Sequence, residues 1–121
     1  MNSVNFADEA VKSENVFRLI SESGEDVSSG ERGMLLYKGG TVCGDTFSHY
    51  SANAICREMG YQLATNWTSG YLYDIDFQEG FYITLANVWC ENDDWNKSCS
   101  YKTTHYCYHW QDVFLNCSAG G

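Results

Sequence analysis

At 121 residues with a hydrophobic share of 44%, the chain has room for one domain and one modest core, which excludes wholesale disorder. Sixteen acidic residues against seven basic ones give a net charge of -9, and such a surface repels nucleic acid and anionic membranes. No apolar run is long enough to cross a bilayer, so direct membrane insertion is not expected.

Residues 1–15 are polar, acidic and without a period, and read as an arm that stays loose unless a partner orders it. Met1 to Lys12 lacks the apolar stretch of a secretory leader, so the expectation is a mature chain or an excerpt of a longer product. Val16 to Ile20 is rich in β-formers and predicts a first strand. Ser21 to Gly33 reads as a loop, Met34 to Tyr37 as a second strand, and Lys38-Gly39-Gly40 as a turn into Thr41-Val42-Cys43.

Between Ser48 and Gly60 the residues Ala52, Ile55, Cys56 and Met59 fall on one helical stripe. Ser48 suits the N-cap, and Gly60 suits the left-handed residue that ends a helix. From Tyr61 to Gly80 the aromatics have no regular spacing, and a long irregular loop is expected. Phe81 to Leu85 and Val88 to Cys90 predict two short strands around a turn at Ala86-Asn87. Glu91 to Asn96 predicts an acidic loop, and Val113 to Leu115 a last strand. Residues 119–121 read as a tail or linker.

The six cysteines admit two readings, three disulfides in an oxidising compartment or thiolates on a metal. No Cys-x-x-Cys pair occurs, and the nearest approach to a zinc site is the alternation His105, Cys107, His109. Disulfides are the preferred reading. Three N-glycosylation sequons, at Asn66, Asn96 and Asn116, agree with an extracellular protein, secreted or an ectodomain. In the third, the central Cys117 would be tied into a bridge.

The run Gly40-Thr41-Val42-Cys43-Gly44-Asp45, continuing through Ala52-Asn53-Ala54-Ile55-Cys56-Arg57-Glu58-Met59-Gly60-Tyr61, resembles the scavenger receptor cysteine-rich (SRCR) family. That family reads GTVCDDGWD and then DAAVVCRQLGY, with the same distance between its cysteines. Leu85 to Cys90 stands where the family has LDDVRC, and Cys107 to Cys117, with His109 and Asp112 between, follows NCGHSEDAGVVC. The resemblance spans residues 16–118. It implies a small, disulfide-rich α+β fold in which a curved antiparallel sheet cradles one main helix, with long loops. It also implies the six-cysteine pairing Cys43–Cys107, Cys56–Cys117 and Cys90–Cys99.

Many members of the family hold calcium or magnesium through two Asp residues after the first cysteine and a Glu before the last. The matching positions here are Gly44, Asp45 and Gln111, so only Asp45 keeps a carboxylate. A second Asp pair of the family is Ala86 and Asn87. Hard cations want several oxygen ligands with net negative charge. No cofactor is therefore expected, calcium included. Asp74, Asp76 and Glu79, and likewise Glu91, Asp93 and Asp94, read as solvated acidic loops rather than cation sites.

An enzyme is not expected. The cysteines are better spent on bridges than as nucleophiles, no Gly-x-Ser-x-Gly occurs, and His49, His105 and His109 read as surface or packing residues. Aromatics offer the candidate ligand-binding surface, because Tyr and Trp dominate interface hot spots. Tyr71, Tyr73, Tyr108 and Trp110 are the candidates, whereas Phe77, Phe81 and Trp89 are assigned to packing. The function expected is an extracellular recognition module that engages a protein or glycan ligand. The alternatives are a self-associating structural subunit and an accessory domain of a larger secreted protein.

Overall fold

In the computed structural model, residues 16–103 and 106–120 are described; the arm over 1–15 and His105 lie outside them. Phe17–Ile20 (β1) and Arg32–Tyr37 (β2) pair antiparallel, from Phe17 opposite Tyr37 to Ile20 opposite Met34. The turn from β2 into Gly40–Val42 (β3) runs through Lys38 and Gly39, both at positive φ, as tight hairpins require. Gly40 packs against the Thr84 side chain and the Tyr82 carbonyl so closely that a β-carbon would collide with both.

Helix α1 (His49–Glu58) follows the predicted stripe. Ser48 accepts a hydrogen bond from the Ser51 amide, Ala52, Ile55 and Cys56 are wholly buried, and Gly60 closes the end at φ +95°. The stretch 61–80 differs from the expected loop. Leu63–Ser69 is a strand, β4, and Ile75–Glu79 is a short helix, α2. Along β4 only Ala64 is fully buried, so the strand exists because β7 (Val113–Ser118) pairs with it, not because its own pattern demands it. Ile83–Cys90 is likewise one strand, β5, where two were expected; Asn87, at φ 57°, makes an irregularity inside it rather than a turn. Trp95–Ser98 forms helix α3 at the end of the acidic loop and leads into Cys99–Lys102, β6.

Among the described residues the sheet runs β4-β7-β2-β3-β5-β6, with β1 along the other edge of β2. Its pairs are antiparallel except β3 with β5, which is parallel. Alternate residues point to opposite faces, and both faces carry a core. One holds Phe17, Leu19, Leu35, Tyr37 and Leu115 against the buried stripe of α1. The other holds Ile20, Met34, Leu36 and Phe114, roofed by Tyr73, Phe77 and Phe81 from the α2 region.

Three disulfides fasten this arrangement: Cys43–Cys107, Cys56–Cys117 and Cys90–Cys99. The second ties α1 to β7 across 61 residues of sequence, and the first ties the end of β3 to the loop before β7 across 64. No cysteine is left free. The small disulfide-rich α+β fold expected from the sequence is the fold observed, with the parallel β3–β5 pair as the departure from a purely antiparallel sheet.

Candidate functional site

The acidic residues near the ends of the short helices have local tasks. Asp74 caps α2 by accepting from the Phe77 amide, and Asp94 caps α3 by accepting from Asn96 and Lys97. Asp93 pairs with Arg57 at 3.6 Å. Asp45 accepts a hydrogen bond at 2.9 Å from the amide of Asn87. It lies near Cys43 and Cys107, but those sulfurs are bonded to each other and are not thiolate ligands. The neighbouring Gly44 offers no side-chain oxygen, and a β-carbon there would stand 3.1 Å from Val113 Cγ2. One carboxylate beside a glycine and the amide of Gln111 does not fit a hard divalent cation.

The aromatic candidates divide. β4 ends at Ser69, and Gly70 turns the chain outward while its amide donates to the Asp112 carbonyl at 3.1 Å. Tyr71 and Leu72 then project into solvent. Tyr73 turns inward. Its hydroxyl donates to the Ile20 carbonyl at 3.0 Å, and its ring stands edge-on to Phe114 with centroids 4.9 Å apart. Burial raises the Tyr73 phenol above its ordinary pKa. Tyr73 thus forms part of the roof over the second core.

Across from this loop, a 3-10 turn at His109–Gln111 sends Tyr108 and Trp110 outward, 59% and 56% exposed. His109 points the other way, its Nδ1 3.0 and 2.9 Å from the two carboxylate oxygens of Asp112. Facing a carboxylate, that nitrogen is the donor. Asp112 is fully buried, and it also accepts from Gln78 Nε2 at 3.0 Å. Gln78, itself fully buried, donates further to the Gly70 carbonyl at 3.1 Å and accepts from the Tyr73 amide at 2.9 Å.

One buried polar network therefore locks the loop that carries Tyr71 to the turn that carries Tyr108 and Trp110. Burial raises the pKa of Asp112 above its ordinary value, against the opposing pull of the bonds from His109, Gln78 and Thr41. Thr41 Oγ1 lies 3.4 Å from His109 Nδ1, and the Thr41 amide donates to the carbonyl of Tyr82. Tyr82 and Tyr106 are almost fully exposed, at 88% and 91%. Tyr71 donates its hydroxyl to Glu79, and this bond to a carboxylate pushes the phenol up to about 12.

Sequence reasoning missed three features of the buried network and the exposed aromatics. Gln78 carried no signal, because an amide within an irregular aromatic stretch looks like a surface residue. Tyr82 and Tyr106 were not separated from the packing aromatics. Trp89, assigned to packing, is more than half exposed on β5, where it alternates with the buried Val88 and Cys90.

A family model described as the scavenger receptor cysteine-rich domain matches residues 23–118. Lysyl oxidase homolog 2 of Xenopus laevis is 42% identical over 83 residues, which cover 65% of this chain and 10% of that protein. The human protein of that name is 39% identical over the same shares. The chain spans about a tenth of the length of these curated relatives. Among solved structures, the dimeric form of the SRCR domain of mouse MARCO is 26% identical, with a TM-score of 0.56. The match covers 80% of this chain and 96% of that one.

Proposed function

Because the chain belongs to the scavenger receptor cysteine-rich family, we propose that it is an extracellular recognition module that engages a protein or glycan partner through the aromatic face around Trp110. The observation that carries the reading is the buried Gln78–Asp112–His109 network, which holds two exposed aromatic loops in fixed relation. A binding surface gains from such preorganisation, since fewer side chains lose freedom when the partner arrives. Three disulfides favour the oxidising space outside the cell. The described residues contain no helix long and apolar enough to cross a membrane.

The test presents the chain as a multimer to a glycan array and a panel of purified extracellular proteins, beside the double variant Tyr108→Ala/Trp110→Ala. Both side chains are exposed, so the variant should unfold within roughly 0.5 kcal/mol of the parent. The expected result is a set of partners lost by the variant. Partners retained at full strength would place the binding surface elsewhere, and no partner for either protein would count against recognition as the role.

A second reading, self-association, draws support from the mouse MARCO domain, which was solved in a dimeric form. Sedimentation of the isolated chain over a wide concentration range separates the two. A third reading, an accessory domain of a larger secreted protein, draws on relatives of which the match covers only 10%.

A further inference from the structure

We propose that Asn66 and Asn96 carry N-linked glycans and Asn116 does not, so that the sugars stand at the two ends of the sheet. This rests on the extracellular reading above, because the sugar is transferred inside the secretory pathway. All three asparagines belong to Asn-x-Ser/Thr sequons, so sequence alone ranks them equally, apart from the cysteine in the third. The fold separates them.

Asn66 lies exposed on β4, the terminal strand of the sheet, just past the bulge that takes Thr65 out of the β4–β7 register. Its side chain shares a sheet face with Asn116 and Arg32, at the end that the roof of Tyr73, Phe77 and Phe81 does not cover. Asn96 lies exposed on α3, directly ahead of β6, the strand at the opposite end. A sugar on either amide projects into solvent.

Asn116 is placed differently. It sits on β7 between β4 and β2, only half-exposed, and the nitrogen that would carry the sugar donates to the Gly30 carbonyl at 3.1 Å. It is also directly opposite Asn66. Directly paired residues hold their β-carbons about 5 Å apart, too near for two branched sugar cores. The next residue, Cys117, is buried in its bridge to Cys56. A glycan on Asn116 would replace one of the two hydrogens on the nitrogen that bonds Gly30, crowd that contact, and have to fit beside the buried bridge.

The arrangement has a consequence for assembly. Terminal strands present unpaired backbone groups that invite pairing with another chain, and bulky polar cover is one way to prevent it. Sugars beside β4 and β6 would keep the chain from associating through its sheet ends.

The test expresses the full chain behind a secretory leader in cultured animal cells. Peptide N-glycosidase in heavy-oxygen water then converts each glycosylated asparagine to labelled aspartate, which peptide mass spectrometry locates. Label at Asn66 and Asn96 with none at Asn116 is the expected result. Substitution Asn66→Gln or Asn96→Gln should each remove one glycan, and Asn116→Gln none. Label at Asn116, or a bare Asn66 or Asn96, overturns the proposal. Material from the natural source separates the two premises: bare asparagines there, with occupied ones in the directed chain, would overturn the extracellular reading and leave the site ranking standing. For the assembly arm, the enzymatically deglycosylated chain should sediment as larger species than the glycosylated chain; identical sedimentation overturns the shielding role.

Discussion

Gln78 Nε2 lies 3.0 Å from Asp112 Oδ2, and neither residue exposes any surface to solvent. A buried carboxylate is costly unless donors surround it. Here a neutral amide and an imidazole supply them, and the same amide reaches the Gly70 carbonyl. The contact therefore fixes the aromatic face as well as the charge.

Replacing Gln78 by Leu keeps the volume and removes every side-chain bond. Asp112 loses a donor, and the Gly70 carbonyl and Tyr73 amide lose their partners inside the protein. Each buried group left unsatisfied costs roughly 1–3 kcal/mol, and some relaxation will offset part of that. A loss of roughly 2–4 kcal/mol in urea denaturation is expected. Gln78→Glu, which sets one carboxylate against another, should cost more at neutral pH than in mild acid. A loss under about 0.5 kcal/mol for the Leu variant, the range of ordinary surface changes, would mean the network contributes little.

The titration of Asp112 gives a second readout. Its folded pKa is raised above the ordinary 3.8, chiefly by burial. The native state therefore keeps this proton to higher pH than the unfolded chain does. The stability it contributes is present in full below 3.8 and is lost as pH rises through the raised folded value. His109 donates to the same carboxylate, so the comparison belongs in a His109→Gln background, where that bond is absent. Melting temperatures of that protein, minus those of His109→Gln/Asp112→Asn, should fall between pH 3.8 and neutrality. A difference that rises with pH would reverse the sign and show a carboxylate stabilised by its donors.

Much of this fold was legible because packing and pattern agree. The aliphatic runs of β1 and β2 and the stripe of α1 announce themselves, since Leu35, Ala52, Ile55 and Cys56 are the residues the core uses. β4 was hidden because Leu63, Thr65 and Asn66 face outward and the strand is held from one side by β7. Five residues of α2 are too few to show a helical period. At the site, sequence named the aromatic stretch but not its division. Tyr71 and Tyr73 are two apart and differ in fate because Ile20 and Phe114, distant in sequence, claim only the second. The three sequons are the same kind of case: the Gly30 carbonyl and the β4–β7 register that separate them exist only after folding.

Calcium should leave this chain almost unchanged. An extracellular site with a Kd of about 10⁻⁴ M would add about 1.4 kcal/mol at a concentration of about 1 mM, which moves a small domain's melting point by roughly 4–8 °C or more. Asp45 is a single carboxylate engaged with the Asn87 amide, so a shift under about 1 °C is expected. A rise of several degrees, abolished by Asp45→Asn, would show that the residues around it bind a cation after all.

The three bridges should not be worth the same. In the chain-entropy account, a cross-link stabilises by restricting the unfolded chain, more so for a longer loop. Cys56–Cys117 closes a separation of 61 residues and Cys90–Cys99 a separation of 9. The relation gives about 4.3 kcal/mol for the first and about 2.6 for the second. Packing widens the gap, because Cys56 and Cys117 are both buried in the principal core, between α1 and β7, whereas Cys99 is only partly covered. Cys56→Ala/Cys117→Ala should therefore lose at least about 4 kcal/mol, a large part of the roughly 5–15 kcal/mol typical of a whole domain. Cys90→Ala/Cys99→Ala should remain folded, with a loss of about 2–3 kcal/mol. Urea denaturation of both variants under non-reducing conditions measures the order. An equal or reversed ranking would show that native-state strain or residual structure in the unfolded chain, not loop length, sets what each bridge contributes.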